Sequence, residues 1–331
     1  MVKRIVVLFV LIAFTVTGIA FAGGKSESET KPVRKMRLSS NNPPGNPPTM
    51  GYEFMANRIK ELSNGEIEIT VFPSGMLGSE REVTEQCRAG ALEIVHVSAG
   101  FLGAFVPSVD VFNVPYLFRS HDHYWKVMNG SVGQRIAADI DKWGAKLLVW
   151  VEGGSRSFYN NVRPITKPED LAGLKIRVMG SPVMIQAMKA LGANPVTTAY
   201  AEVYSALQTH VIDGAENSPT SVASMKHNEV AKYFSLTEHL KVPDLLIMGN
   251  VSWNKLSDKD KEIFKKAAEE TQEYIKKEWN RQEAINLEAC RKTMTINEVP
   301  DKSAFINAVK PLHDELKSKF DDLIEQIKAV Q

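Results

Sequence analysis

The sequence has little cysteine and no excess of charge of either sign. Its two cysteines, Cys87 and Cys290, lie far apart in a chain of 331 residues, and two isolated thiols do not make a metal site. Whether they form a disulfide depends on geometry, which the sequence leaves open. Lysine and arginine number 40 against 39 aspartate and glutamate residues, for a net charge of +1. This balance argues against a nucleic-acid-binding protein, because such proteins usually carry a basic excess.

Long apolar runs are missing except at the N-terminus, which excludes a polytopic membrane protein. There, two basic residues precede an apolar run over residues 5–22 that ends in AFA, an A-x-A cleavage signal. This order predicts a signal peptide over residues 1–22 that is removed on export. The alternative is an uncleaved anchor, because about 18 apolar residues can just span a bilayer. Residues 23–35 are polar with mixed charges and are predicted to form a flexible tether.

Motifs of common enzyme classes are also missing. No G-x-S-x-G, H-E-x-x-H or Walker A sequence occurs, and Gly153-Gly154 lacks the third spaced glycine of a dinucleotide-binding loop. His121 and His123 are two residues apart, and on a helix side chains at that spacing do not face each other. We therefore expect no catalytic residues, no metal site and no cofactor.

Strand and helix signals alternate past residue 36, an order typical of α/β proteins with mainly parallel sheets. The predicted strands cover residues 36–40, 67–71, 94–98, 146–151, 175–178, 212–215 and 245–251. The predicted helices cover residues 51–63, 79–89, 182–191, 201–208, 218–228, 257–292 and 305–327. Ser79 with Glu82, and Thr166 with Glu169, have the spacing of capping boxes that begin helices.

Two such α/β sets in an exported chain are typical of a two-lobed periplasmic binding protein, which holds a ligand in a cleft and closes by hinge motion. Lobe I is predicted over residues 36–152 plus 243–281, and lobe II over residues 153–242 plus 282–331. The helix over 257–292 would be about 50 Å long at 1.5 Å per residue, so we expect it to cross both lobes.

Two arginines are the strongest candidates for ligand binding. Arg177 ends a predicted strand beside Gly180, and Arg156 follows another strand in a glycine-led loop. Ligands in open α/β sheets collect at the carboxyl ends of strands, and a guanidinium can bind a carboxylate through two parallel hydrogen bonds. We expect both arginines to pair with an anion from adjacent strands of one lobe. The alternative for either is a surface ion pair.

Three further polar residues sit at the ends of predicted strands or the beginnings of helices. Asn217 is expected at a helix start, where its amide can bind a ligand or serve as a plain N-cap. Glu80 stands in the first turn of a helix, where it can bind ligand or complement the helix dipole. Asn41 follows the first strand and can be either a site residue or a turn residue.

These residues lie within motifs that resemble the solute-binding subunits of TRAP (tripartite ATP-independent periplasmic) transporters, the DctP-type family, over residues 36–331. The motifs are FPSG at 72–75, LGSE at 77–80, PEDLAGLKIRV at 168–178, EVYSALQ at 202–208 and VIDGAEN at 211–217. The resemblance implies a periplasmic, non-enzymatic protein that passes a small carboxylate to a TRAP membrane permease. The ligand-binding residues that it implies are Arg177, Arg156, Asn217, Tyr200, Glu80, Asn41 and Ser98.

The resemblance also bears on the ligand. Many family members have E-N-P where this chain has ENSPT at 216–220, and this segment is closer to the branch that binds hexuronic acids such as glucuronate or galacturonate. The alternatives are a C4-dicarboxylate or sialic acid as the ligand. An exported enzyme acting on small acids, or a receptor that passes its solute to a sensor kinase, are the alternatives from other classes.

Overall fold

A computed structural model describes residues 32–320 and 322–331. The predicted signal peptide, residues 1–22, and most of the predicted tether, residues 23–35, lie outside these residues. The first strand begins at Arg34, so the last two residues of the predicted tether belong to a sheet rather than to a flexible segment. None of the helices in this part of the chain has the length and apolar character needed to cross a membrane.

Eleven strands and twelve α-helices alternate along the described chain. The strands are β1 (Arg34–Ser39), β2 (Ile67–Phe72), β3 (Ile94–Ser98), β4 (Ala145–Val151), β5 (Arg156–Asn160), β6 (Lys175–Val178), β7 (Asn194–Thr197), β8 (Gly214–Asn217), β9 (Tyr233–Leu240), β10 (Asp244–Gly249) and β11 (Thr295–Glu298). The helices are α1 (Pro47–Leu62), α2 (Glu80–Ala89), α3 (Ala99–Leu102), α4 (His121–Asn129), α5 (Ser131–Trp143), α6 (Pro182–Ala190), α7 (Val203–Gln208), α8 (Pro219–Ser224), α9 (Asn250–Trp253), α10 (Asp258–Arg291), α11 (Ser303–Lys319) and α12 (Leu323–Ala329). Short 3-10 helices cover Pro107–Asn113, Pro168–Leu171, Tyr200–Glu202 and His227–Glu229.

The strands form two sheets, which confirms the α/β class. The first sheet has the order β2-β1-β3-β10-β4, and the second has the order β11-β9-β5-β8-β6-β7. Parallel neighbours are only slightly more frequent than antiparallel ones, so both sheets are mixed. The antiparallel neighbours involve β5 and β10, the strands at which the chain enters one sheet directly from the other. Each of these two strands begins at the edge of its sheet that faces the other sheet. It therefore runs opposite to the neighbouring strands that end at that edge.

In each sheet, the starts of some strands and the ends of others therefore lie at the same edge. In the first sheet, Asp244 at the start of β10 pairs with Ser98 at the end of β3. In the second sheet, Ser157 near the start of β5 pairs with Asn217 at the end of β8. Residues that end one strand and begin another therefore lie side by side at these edges.

The long helix α10 begins where the sequence predicts. Ser257 and Asp260 form a capping box at its start, and the helix runs for 34 residues, about 51 Å. It packs against α1 and β4 of the first sheet and against α8 and β11 of the second. The chain also passes between the sheets after β4 and after β9, close to the predicted lobe boundaries. Residues 33–331 nevertheless form one compact unit, so the division into two lobes stays a prediction.

Several local expectations need correction. The capping acid near residue 166 is Asp170 rather than Glu169, because Asp170 accepts hydrogen bonds from the backbone nitrogens of Thr166 and Lys167. The helix predicted over 218–228 ends at Ser224, and the strand predicted over 212–215 is displaced to 214–217. Propensity locates such elements but not their ends, which packing decides.

The C-terminal region departs from the predicted lobe II. One predicted helix over 305–327 is two helices, α11 and α12. The buried face of α12 joins the same core cluster as Ile136 and Ile140 of α5, and His123 Nε2 lies 2.8 Å from the Ile327 carbonyl oxygen. The last helix therefore packs on elements that the sequence assigned to lobe I, because its apolar face is buried there.

Both cysteines are free and buried. Cys87 packs in α2 against the core beside the first sheet, and Cys290 belongs to a separate cluster near the end of α10. The two thiols lie in different core clusters and are not joined by a disulfide.

The contact between α1 and α10 depends on a glycine. A Cβ atom on Gly51 would lie 2.2 Å from Cγ1 of Ile275, so any side chain there requires the Ile275 side chain or the helices to move. We predict that Gly51→Leu lowers the free energy of unfolding by about 1–3 kcal/mol through overpacking, measured by urea denaturation. Asn57→Leu, at an exposed position of the same helix, is the control for helix propensity. Equal stability of the two variants would contradict the close contact.

Candidate ligand-binding site

A pocket lies where the edges of the two sheets meet. Its cavity volume is about 50 Å³, below the roughly 300–1,000 Å³ typical of small-molecule sites, whereas the groove that adjoins it measures about 730 Å³. The residues that line it are Asn41, Asn42, Glu80, His96, Ser98, Arg156, Arg177, Met179, Tyr200, Asn217, Ser221 and Asp244. All seven residues predicted from the sequence are among them, so the fold brings together positions that are up to 176 residues apart, Asn41 to Asn217. Their roles in binding remain predictions.

The two sides of the pocket come from different sheets. Elements of the first sheet and its helices supply Asn41, Asn42, Glu80, His96, Ser98 and Asp244. Elements of the second sheet and its connections supply Arg156, Arg177, Met179, Tyr200, Asn217 and Ser221. A wider groove, which shares Asn41, Glu80, Arg177, Met179 and Tyr200 with the pocket, leads outward from it.

Arg177 is a buried cation without a counter-ion. Its exposure is 4%, and its Nε donates to the Thr198 carbonyl oxygen at 2.9 Å. Among the described residues, no carboxylate lies within 4 Å of its guanidinium and neither terminal nitrogen has a hydrogen-bond partner. Burial, with the neighbouring charge of Arg156, lowers the pKa of Arg177 from its usual value. The group is therefore able to bind an anion in the pocket.

Arg156 differs from the expectation, because its guanidinium already has a partner. Its Nε and Nη2 donate to the two carboxylate oxygens of Glu216 at 2.6 and 2.8 Å, and Nη2 also donates to the Glu216 carbonyl oxygen. Nη1 donates to Asn217 Oδ1 at 2.9 Å. Although burial acts against the charged form, Glu216 raises the pKa of Arg156. Four of the five N–H groups are engaged, so Arg156 can offer a ligand only one.

The two arginines also do not lie on adjacent strands. Arg156 is the first residue of β5 and Arg177 is the third residue of β6, with β8 between them. They reach the same pocket because β5 is antiparallel to β8 while β6 is parallel to it. The expectation of adjacent strands was wrong, since the order of strands in a sheet is not the order in the chain.

Asn217 is the last residue of β8 rather than a helix cap. Its Oδ1 accepts from Arg156 Nη1 and from the Ser218 backbone nitrogen, each at 2.9 Å. Ser218 is the N-cap of α8 and accepts from the Ser221 nitrogen. The amide nitrogen of Asn217 has no partner among the described residues, so it can donate two hydrogen bonds into the pocket.

Glu80 and Ser98 are joined across the first-sheet side. Oε1 of Glu80 accepts from the Ser98 backbone nitrogen at 2.6 Å, and Ser98 Oγ accepts from the Gly100 nitrogen as the N-cap of α3. Burial raises the pKa of Glu80 to about 7, although the Ser98 bond acts in the opposite direction. The hydroxyl proton of Ser98 stays available to a ligand.

Tyr200 and Asn41 complete the predicted set. The Tyr200 ring centroid lies 5.8 Å from Cζ of Arg177 and makes an edge contact with His227, with the centroids 6.0 Å apart. Burial raises the pKa of Tyr200 to about 12, so its hydroxyl is neutral. The Asn41 side chain has no hydrogen-bond partner in the part of the chain that the structure describes.

Sequence reasoning missed three ionisable residues of the site. His96 lies two residues before Ser98 on β3 and thus on the same face, a signal that strand alternation offers. Asp244 begins β10 at the sheet edge, and its Oδ2 lies 3.1 Å from His96 Nε2. Glu216 lies within a quoted motif, but its partner Arg156 is 60 residues away, and no local signal pairs them.

No group of three or more His, Cys, Asp or Glu side chains is arranged to hold a metal ion in residues 32–320 and 322–331. His121 and His123, which the sequence places two residues apart, have other contacts. His121 Nε2 lies 2.9 Å from Glu152 Oε2, and the buried His123 receives a hydrogen bond from the Arg119 nitrogen.

Comparison with known proteins shows the family of the chain. The model of the bacterial extracellular solute-binding protein family 7, DctP, matches residues 38–319. The chain belongs to this family, the solute-binding proteins of TRAP transporters, which work with membrane permease subunits. The predicted family and the periplasmic location are thereby confirmed.

Three similar proteins illustrate the family. A solute-binding protein from Chromohalobacter salexigens is 36% identical over 290 residues, which cover 87% of this chain and 86% of that protein. A crystal structure from the same organism, with bound D-glucuronate, has a TM-score of 0.87 and 35% identity and covers 89% of this chain and 100% of its own. A structure from Sulfurospirillum deleyianum with bound succinate has a TM-score of 0.87 and 32% identity and covers 91% and 100%. The same fold thus holds acids of different size.

The buried ion pair of Arg156 and Glu216 should contribute strongly to the stability of the ligand-free protein. Glu216→Gln leaves the Arg156 charge without a counter-ion in the interior, which costs about 3–5 kcal/mol. Glu298→Gln, which removes an exposed partner of Arg291, should cost less than about 1 kcal/mol. Urea denaturation at pH 7 measures both. Equal losses would show that the buried pair has no special role.

Glu80 should make stability depend on pH. Because its pKa is about 7 in the folded protein and lower when unfolded, the folded state holds the proton more tightly. Stability from this group is full below the unfolded pKa and is lost as pH rises through 7, by up to about 3 kcal/mol. Chemical denaturation between pH 4.5 and 8 should therefore show a steeper decline for wild type than for Glu80→Gln. Parallel curves would contradict the raised pKa.

Proposed function

We propose that the protein captures a small sugar acid, such as glucuronate or galacturonate, by its carboxylate and delivers it chemically unchanged to the permease. The observation that carries this proposal is the buried guanidinium of Arg177, which has no counter-ion among the described residues. A buried charge is costly unless it is paired and hydrogen-bonded. A ligand carboxylate supplies both the charge and two acceptor oxygens in the planar geometry of a guanidinium.

The neighbours of Arg177 extend the same carboxylate site. The amide nitrogen of Asn217 is free to donate, and Arg156 retains one N–H group. Because Glu216 neutralises Arg156, Arg177 is the uncompensated positive charge on this side of the pocket. We therefore assign the carboxylate to Arg177, with Asn217 and Arg156 as supporting donors.

The rest of the pocket supports a sugar acid over a short dicarboxylate. Glu80, Asn41 and Ser98 can each bind a hydroxyl group, and the face of Tyr200 suits the apolar side of a sugar ring. The D-glucuronate in the similar Chromohalobacter structure is a ligand of this kind. C4-dicarboxylates and sialic acid are the alternatives within the family.

Binding without catalysis fits the contacts in the pocket. Ser98 serves as a helix cap, and its neighbour on β3, His96, faces Asp244 rather than a nucleophile. Binding would be coupled to closure of the two proposed lobes, because a ligand shifts the equilibrium toward the state in which it makes more contacts. Incubation with D-glucuronate should leave its NMR spectrum unchanged, whereas turnover without added cofactor would favour the exported-enzyme alternative.

Removal of the Arg177 guanidinium should weaken binding of D-glucuronate by roughly 30-fold to several thousand-fold, because one partner of a buried charge pair is lost, at about 2–5 kcal/mol. Arg177→Lys should also bind clearly more weakly, because an ammonium cannot form the two parallel bonds. Isothermal titration calorimetry of Arg177→Ala, Arg177→Lys and the surface control Arg291→Ala measures these affinities.

Near-native affinity in Arg177→Ala would remove this residue from the site. The ligand class itself is tested by thermal shift against hexuronates, sialic acid, dicarboxylates, neutral sugars and amino acids, because a ligand that binds the folded state stabilises it by RT ln(1 + [L]/Kd). If neutral compounds raised the melting temperature and acids did not, the proposal of an anion site would be lost.

A further inference from the structure

The charges of the pocket are divided between its two sides. Both arginines come from elements of the second sheet, and Glu216, which also belongs to that sheet, neutralises one of them. The remaining carboxylates of the pocket, Glu80 and Asp244, both come from the first-sheet side. A ligand held on Arg177 therefore extends toward an acidic wall, which we define as Glu80 and Asp244.

Neither carboxylate of the acidic wall is paired with a lysine or arginine. Among the described residues, no such side chain lies within 4 Å of either one. Glu80 receives only the backbone hydrogen bond from Ser98, and the Asp244 carboxylate faces His96 at 3.1 Å.

The wall already disfavours further negative charge. Burial raises the pKa of Glu80 to about 7, and the charge of Asp244 acts in the same direction, while the charges of His96 and Arg177 act against it. Two carboxylates with unused lone pairs accept hydrogen bonds from hydroxyl groups readily. A second carboxylate has no proton to donate and would meet like charge there.

We propose that Glu80 and Asp244 are specificity-determining residues that restrict the ligand to monocarboxylic acids with hydroxyl groups at the far end, and exclude the corresponding dicarboxylic acids. This inference rests on the proposed function, because it takes the first carboxylate to lie on Arg177. The acidic wall acts by repulsion as well as by attraction, and specificity often needs such a repulsive element.

Two pairs of matched ligands test the acidic wall: D-glucuronate with D-glucarate, and D-galacturonate with galactarate. Each dicarboxylate differs from its partner by a second carboxylate at the other end of the same carbon chain. Calorimetry at pH 8, where Glu80 is ionised, should give dissociation constants at least about 30-fold higher for the dicarboxylates. Glu80→Gln and Asp244→Asn should each reduce this ratio by about tenfold, since each removes one repelling charge.

Glu85→Gln is the matched control, because Glu85 lies on the same helix as Glu80, is exposed and does not line the pocket. It should leave the ratio unchanged. A hexuronate and its dicarboxylate also differ in ring form. This difference affects wild type and variants alike, so it cancels when their ratios of dissociation constants are compared. A native-like circular dichroism spectrum and a cooperative thermal transition show that each variant is folded.

The outcomes separate this inference from the proposed function. Similar affinity of wild type for the hexuronate and its dicarboxylate would overturn the inference alone. So would discrimination that persists undiminished in both Glu80→Gln and Asp244→Asn, because the wall would then not be its cause. Failure of both hexuronates to bind wild type at all would instead overturn the uronate proposal and the inference with it.

Discussion

A positive charge held in the interior without a counter-ion is the constraint on which the site depends. Arg156 shows how a buried guanidinium is normally accommodated, because the Glu216 carboxylate accepts two of its hydrogen bonds and neutralises its charge. Arg177, equally buried, has only the Thr198 carbonyl oxygen. The difference between the two separates an arginine with a structural partner from one whose charge is available to the proposed ligand. The cost of removing a charge from water underlies both the contribution of the Arg156–Glu216 pair to stability and the proposed affinity of Arg177 for an anion.

The sheets make this arrangement possible through the strands that enter from the opposite sheet. Because β5 and β10 run against their neighbours, both the starts and the ends of strands lie at the facing edges. Short turns and strand ends leave backbone and side-chain polar groups accessible there. The pocket thus draws on eight separate segments of the chain without disturbing either core.

In the proposed function, Arg177 binds the carboxylate and the opposite wall selects the acid. Similar folds hold D-glucuronate in one relative and succinate in another, so the fold alone does not select the ligand. In this chain the side facing the arginines carries carboxylates and amides. Such a wall favours hydroxyl groups and opposes a second negative charge, which makes the chemistry of the first-sheet side the source of specificity.

The sequence by itself determined the α/β class, the long helix, the family and seven residues that line the pocket, because strand alternation, capping residues and motifs are local or contiguous signals. Only the tertiary structure decided that Glu216 neutralises Arg156, that β8 separates the two arginines, that α12 packs beside α5, and that Asp244 and His96 join Glu80. Each of these depends on contacts between residues that are distant in the chain. Packing and desolvation in the folded protein decide such contacts, because no local signal specifies strand order or the pairing of distant side chains.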